Sequence, residues 1–299
     1  MTSDENYVIF DKTPPIVTTF TYLSNNSTTS LAKVSDTVFV SLETDELIQT
    51  PVMLIGSNAV TEISGATNKI WSASHKMITS DDEGQVAIEL ASFTDYAGNS
   101  GTSTTETTDG NYVTFDQTPP SLQIVNVTSS NNYSSNLYAK AGDVITFTIN
   151  TGTSGELILE PEFTIYDETT DITIAPGEVG ATSSKVWTAQ RTILANDDEG
   201  AVPFSIAFTD RAGNNGVAVT NILSDDDNSN VIVDLTATDL QGNNIVLDLD
   251  SDSDTGTLSS DNLTNIQTPT FNVTGLTDAP VLAGTDSIYI ISSGTDTLI

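Results

Sequence analysis

Internal repetition constrains this chain more than any other feature. Phe10-Asp11-Lys12-Thr13-Pro14-Pro15 returns as Phe115-Asp116-Gln117-Thr118-Pro119-Pro120, and Ser24-Asn25-Asn26 returns as Ser130-Asn131-Asn132. Ala32-Lys33 followed by Asp36 is matched by Ala139-Lys140 followed by Asp143. Lys69-Ile70-Trp71-Ser72-Ala73 is matched by Lys185-Val186-Trp187-Thr188-Ala189, and Asp81-Asp82-Glu83-Gly84 by Asp197-Asp198-Glu199-Gly200. Phe93-Thr94-Asp95-Tyr96-Ala97-Gly98-Asn99 closes the series as Phe208-Thr209-Asp210-Arg211-Ala212-Gly213-Asn214. Blocks that recur in one order at a near-constant offset are tandem copies of one folding unit. The offset steps from 105 to 116, and about nine of the extra residues fall in the middle of the second copy, around Gly152 to Gly177.

The repetition also draws the boundaries. Asn6-Tyr7-Val8-Ile9-Phe10-Asp11 mirrors Asn111-Tyr112-Val113-Thr114-Phe115-Asp116 at the junction, so residues 1–12 read as the tail of a preceding repeat. Repeat one is then 13–116, repeat two is 117–234, and 235–299 is a partial third repeat. The chain is expected to be a segment of a longer array.

Each unit consists of short alternating strands between turn clusters, the pattern of a β-sandwich. Val38, Val40 and Leu42 alternate with Thr37, Phe39 and Ser41, and Ile145, Phe147 and Ile149 hold the same places in the second copy. Val86, Ile88 and Leu90 match Val202, Phe204 and Ile206 at the same parity. A period of two puts each set on one buried face. The offset falls by one before Phe93 and Phe208, which predicts an extra residue, a β-bulge, near Ala91-Ser92. Trp71 and Trp187 sit at matched strand positions and are expected to plug the two cores.

Charge and composition narrow the function. Forty-one acidic residues face 8 basic ones, a formal net charge of −33. Nucleic acid and anionic membrane surfaces carry the same sign and are excluded as main partners. There are no cysteines, so disulfides, thiolate metal sites and cysteine nucleophiles are excluded. No apolar run reaches the ~18 residues of a membrane span, and the first residues show neither the basic nor the apolar region of a signal peptide. His75 is the single histidine, and Arg191 holds its place in repeat two, which argues against a general base. Aromatic residues are 7% of the chain and both tryptophans are expected to be buried, so no sugar-cleaving cleft is evident. The chain is expected not to be an enzyme.

Taken together, Phe-Asp-x-Thr-Pro-Pro, the Ser-Asn-Asn segment, the x-Trp-x-Ala strand, Asp-Asp-Glu-Gly and Asp-x-Ala-Gly-Asn resemble the bacterial immunoglobulin-like repeats of giant surface adhesins. The resemblance covers about residues 13–234. The third unit, with Asp252-Ser253-Asp254-Thr255-Gly256, Asp261-Asn262 and Thr268-Pro269-Thr270, looks like a neighbouring subtype. It implies an all-β fold of tandem immunoglobulin-like β-sandwich domains in an elongated array. It also implies an extracellular, cell-surface location in a cell-adhesion protein, export often without a cleaved N-terminal signal, and calcium at domain junctions. The partners implied are adjacent repeats of the same chain and a host or surface ligand at a distal domain, with no membrane insertion.

Sandwich topology places the E–F loop at one end of a domain and the F–G loop at the other. Asp81, Asp82 and Glu83 of repeat one would thus face Asp210 and Asn214 of repeat two, with Asp109 and Asp116 arriving on the connecting strand. Calcium takes six to eight hard oxygens in a forgiving geometry, which Asp, Glu and Asn supply. The bland alternative is that the aspartates open turns, the glycines supply positive φ and acidic loops merely solvate. In the third unit Asp250, Asp252 and Asp254 alternate after Asp248, with Gly256 and Asp261 beyond. That spacing departs from the EF-hand loop, leaving a looser cation site or a solvated acidic linker. The leading expectation is a stalk stiffened by Ca2+. The alternatives are a glycan- or protein-binding module, using Phe163, Tyr166 and the run to Pro176 as its surface, or accessory domains of a secreted hydrolase.

Overall fold

A computed structural model describes residues 9–56, 58–60, 63–65, 67–131, 136–223, 230–236, 246–255, 265–266 and 268–274. All regular structure among these residues is β-strand. Residues 1–8, Asp261, and the stretch 275–299 of the expected third unit lie outside the described residues.

Repeat one runs through β1 (Val17–Ser24), β2 (Leu31–Ala32), β3 (Thr37–Thr44), β4 (Val52–Ile55) and β5 (Asn58–Ala59). It continues with β6 (Ile63–Gly65), β7 (Ile70–Lys76), β8 (Gly84–Gln85), β9 (Ile88–Ser92) and β10 (Thr114–Phe115). One sheet has the order β1-β3-β7-β6 and the facing sheet the order β5-β4-β9. These are the A-B-E-D and C-F arrangements of an immunoglobulin-type sandwich. The G segment is held to the F strand by the Leu90–Thr104 bridge and to β1 by the Thr108 N–H on the Phe20 carbonyl. At the end of the unit, β10 runs parallel to β2 and antiparallel to β8.

Repeat two follows the same path. Its first strands are β11 (Ile124–Ser129), β12 (Tyr138–Ala139), β13 (Val144–Asn150), β14 (Ile158–Leu159), β15 (Glu162–Ile165) and β16 (Thr173–Pro176). Its later strands are β17 (Ser183–Ser184), β18 (Val186–Thr192), β19 (Gly200–Ala201), β20 (Phe204–Ala207) and β21 (Ile232–Val233). The order β11-β13-β18-β16 faces the β15-β20 pair. The β14-β17 pair corresponds to the single contact of repeat one in which the Ile48 N–H donates to the Asn68 carbonyl. Beyond it, β22 (Val246–Leu249) and β23 (Phe271–Thr274) form an antiparallel pair.

Two apolar clusters fill the sandwiches, one drawn from Phe20 to Phe115 and one from Leu122 to Val233. Strict alternation builds them: in β3 the side chains of Val38, Val40 and Leu42 are buried between more accessible neighbours, and in β13 Ile145, Phe147 and Ile149 are buried between half-buried ones. Trp71 and Trp187 are both core residues, 6% and 1% exposed. Burying an indole contributes several kcal/mol. The one-residue change of offset is a register shift: β9 pairs Leu90 with Met53 but Ser92 with Val52, leaving Ala91 extra. In repeat two the corresponding pairing of β15 with β20 is regular.

Candidate metal centre at the repeat junctions

Three carboxylates meet where the chain enters each repeat. Asp11, Glu46 and Asp95 bring one oxygen each within 4.8 Å of one another at repeat one, and Asp116, Glu156 and Asp210 do the same at repeat two. The fold assembles each triad from three places. Asp11 and Asp116 end the connecting segment, where each side chain accepts the backbone N–H of a threonine two residues on. Asp95 and Asp210 open the F–G loop, and Glu46 and Glu156 lie two residues ahead of Ile48 and Ile158. Those isoleucines form isolated antiparallel bridges with Asp95 and Asp210, and this bridge carries the glutamate to the loop.

The F–G loop is built around its aspartate. The Asp210 carboxylate accepts the N–H groups of Gly213 and Asn214 and the Asn214 side-chain amide, at 2.7 to 2.9 Å. Asn99 makes the equivalent pair of bonds to Asp95. The turn needs the left-handed region at its glycine, and Gly98 and Gly213 have φ of 93° and 88°. Asn99 and Asn214 then tie the loop to the entering chain by donating to the carbonyls of Asp11 and Asp116.

The electrostatics of the triads are strained. Two carboxylates ~5 Å apart repel by roughly 3 kcal/mol at an effective dielectric of 20. Burial first, then the charges of Asp116, Asp210 and Glu83, push the Glu156 carboxyl above its usual range. Burial, then Asp210 and Glu83, does the same to Asp116 against the bond from Thr118. Burial, then Asp11, Asp95 and Asp45, raises Glu46. Glu156 Oε2 is enclosed by protein and has no hydrogen-bond partner among the described residues. The donor set fits a hard cation. Oxygens bound to one calcium ion at 2.3–2.6 Å lie within ~5 Å of each other, a spacing the triads already have, and an ion would complete the orphaned Glu156 oxygen.

Glu83 plays a different part. It accepts the Gln117 N–H and the Thr118 hydroxyl at 2.8 and 2.7 Å, and the hydroxyl bond, with the Gln117 bond second, holds its pKa low. Glu199 grips Leu235 and Thr236 in the same way at the start of the third unit. These glutamates clamp the linker backbone.

The candidates therefore separate. Asp116, Asp210 and Asn214 come together and Glu83 lies beside them. Asp81 turns to its own domain, where Oδ2 meets His75 Nε2 at 2.9 Å and the Ile78 N–H at 2.8 Å. Asp82 is exposed. Asp109 closes a local turn on Asn111, and the backbone bond from Asn111, with the side-chain bond second, lowers its pKa; it shares a cleft with Arg211 of repeat two. In the third unit Asp250 accepts the Asp252 N–H and the Asn272 amide, Asp252 is exposed and Asp254 is buried. Among the described residues no three-carboxylate group includes Asp250, Asp252 or Asp254.

Glu46 and Glu156 were missed because the insertion hides their equivalence. Thr44-Asp45-Glu46 aligns without gaps to Thr151-Gly152-Thr153, whereas the bridges at Ile48 and Ile158 place three inserted residues before Glu156. The shared Glu-Leu-Ile at 46–48 and 156–158, with Pro51 and Pro161 at the same distance beyond, is the signal that would have found them. The surface expected of repeat two also needs correction. Phe163 is 1% exposed because β15 alternation points it into the core, and Tyr166 lies under the Arg191 guanidinium, 5.0 Å from the ring centre.

No protein-family model and no curated protein matches this sequence. Solved structures do. The D1–D2 pair of Rst aligns with 75% of this chain and all of its own, at 9% identity and a TM-score of 0.31. The I9–I11 tandem of titin aligns with 66% of this chain and 63% of its own, at 11% and 0.26. The D00–D0 domain of intimin aligns with 69% of this chain and all of its own, at 16% and 0.25. At such identities and scores the likeness adds nothing to the immunoglobulin-like fold that strand order establishes.

Proposed function

We propose that this chain is a stalk segment of a large bacterial surface adhesin, extracellular and non-enzymatic, whose junctions are stiffened by calcium. The observation that supports it most is the recurrence of one carboxylate triad, in one geometry, where the chain enters each repeat. A ligand site serves one domain, whereas a device found at the entries of both repeats one and two serves the array. Asp116, Glu156 and Asp210 would hold the ion at the second junction and Asp11, Glu46 and Asp95 at the first. The ion would supply charge neutralisation across segments that otherwise repel, and so fix the domain angle.

Small-angle scattering of the whole chain in millimolar calcium and then in chelator tests this. An affinity of about 10⁻⁴–10⁻³ M is expected for an extracellular module, so chelation should loosen the rod and lower its melting temperature. Glu156→Gln sharpens the test better than a change at Asp210, whose carboxylate also holds its own loop together. In chelator the variant should be at least as stable as the parent, because a repulsive charge is gone. In calcium it should lose most of the gain at that junction. Scattering and melting that ignore both calcium and the substitution would sink the reading.

A further inference from the structure

The loop Asp210–Asn214 is covered by the repeat before it. Asn26 donates its side-chain amide to the Ala212 carbonyl at 2.9 Å and to Asp36 Oδ2 at 2.7 Å. Lys33 Nζ donates to the Gly213 carbonyl at 2.8 Å. Asp36 Oδ2 also accepts the Lys33 N–H, which fixes the three side chains as one socket. Under it Ala212 is 2% exposed.

The matching loop of repeat one has the same internal bonds and the same positive φ at its glycine. Yet Ala97 and Gly98 are exposed, and among the described residues no donor reaches their carbonyls. A surface that is shaped for a socket and buried by one elsewhere in the molecule has a defined partner. The geometry points to Asp95–Asn99 as a docking surface for another immunoglobulin-like unit, linked upstream through Asp11, that presents an Asn–Lys–Asp socket. Repeat two supports this generality. Lys140 and Asp143 repeat the backbone bond of Lys33 and Asp36 at 2.9 Å, with Lys140 Nζ resting on Asp143 Oδ1 at 2.8 Å.

The chemistry is selective. The loop offers two carbonyls beside three carboxylates, so it rejects an acidic face and accepts one amide and one ammonium donor. In a chain with 8 basic against 41 acidic residues, few faces qualify. This inference rests on the stalk reading, naming the partner that each junction takes.

The test is hydrogen exchange on the full chain extended by a second copy of residues 13–114 placed directly ahead of Phe10, which reproduces the native spacing. Exchange across 95–99 should slow at least tenfold, toward that of 210–214. Lys33→Ala together with Asn26→Ala in the added copy should reverse it. The same pair in the unextended chain should speed exchange at 210–214, which confirms that the method sees the socket. Unchanged exchange at 95–99 beside a folded added copy overturns the proposal, as does protection that survives the double substitution. Both exchange readouts are taken in chelator, so that no ion holds Asp95 or Asp210, and failure of the scattering test then leaves this result intact, and the reverse.

Discussion

Repeats one and two share strand order, core pattern and entry triad, yet they anchor their E–F loops with different chemistry. In repeat one His75 makes one contact with the loop aspartate, Asp81, and the two side chains are 19% and 10% exposed. In repeat two Arg191 replaces the histidine and takes Asp197 with both terminal nitrogens, at 2.6 and 2.8 Å, with side-chain exposures of 2% and 5%. Glu168, from the inserted residues, and the face of Tyr166, which stands where repeat one has Gly56, complete the guanidinium's surroundings. Burial there pushes the Tyr166 hydroxyl up to about 12. Repeat two thus encloses an ion pair where the shorter repeat has a more open contact. A tyrosine in the place of a glycine, together with the added residues beyond it, surrounds the arginine that repeat two carries.

The tryptophans differ in the same sense. Trp187 Nε1 donates to the Ser184 carbonyl of β17 at 3.2 Å, whereas Trp71 Nε1 has no partner among the described residues. Gly65 lies flat against the Trp71 ring, where an added Cβ would come within 2.7 Å, and Pro176 holds the same register against Trp187.

The largest way to break this comparison is at the indoles. Trp71→Ala and Trp187→Ala should each cost about 3–5 kcal/mol, the range for a buried aromatic, in separate denaturant transitions. Trp187→Phe should cost about 1 kcal/mol more than Trp71→Phe, because only Trp187 loses an indole hydrogen bond, the one to the Ser184 carbonyl. Losses below 1 kcal/mol for either alanine variant would remove that indole from the core.

Next come the loop anchors. Arg191→Ala leaves the Asp197 charge buried without its counter-ion and should cost about 3–5 kcal/mol. His75→Ala removes one hydrogen bond from a partly open site and should cost about 1 kcal/mol. Equal losses in urea melts would mean that the inserted segment does nothing for Arg191.

The smallest effect concerns acid. Raised pKa values at Glu46, Asp116 and Glu156 mean that the folded chain takes up protons more readily than the unfolded one. Stability in chelator should therefore rise as pH falls from neutral through those values. Glu83 is depressed chiefly by its hydroxyl bond from Thr118 and Glu199 by that from Thr236. At Asp197 and Asp95 burial opposes the shift, and bonds from Arg191 and from the loop of Asn99 outweigh it. These four stabilise above the ordinary carboxylate range and lose that contribution as pH falls through their lowered values. Melting temperature in chelator should pass through a maximum on acidification, the rise being larger for repeat two, where two triad members are raised. With calcium bound it should only fall. A monotonic fall in chelator would mean that the triads are not under strain.

The sequence by itself determined the repeats, the sandwich, the two core tryptophans and the bulge at Ala91. Each is a matter of local periodicity, which a strand writes directly into alternate residues. It also found Asp116, Asp210 and Asn214, because they sit in motifs that recur without gaps. Tertiary structure alone decided the rest. The Ser24 match belongs to Ser129 instead of Ser130, since both hydroxyls accept the N–H two residues on. Glu46 and Glu156 join the triads through a bridge to a strand far along the chain, and a three-residue insertion masks their kinship. Asp81 leaves the junction because His75, six residues away, bonds it first. Asn26 and Lys33 reach the Asp-x-Ala-Gly-Asn loop 180 or more positions later in the chain. Long-range juxtapositions of this kind depend on how two sandwiches meet, and no periodicity within either one encodes that.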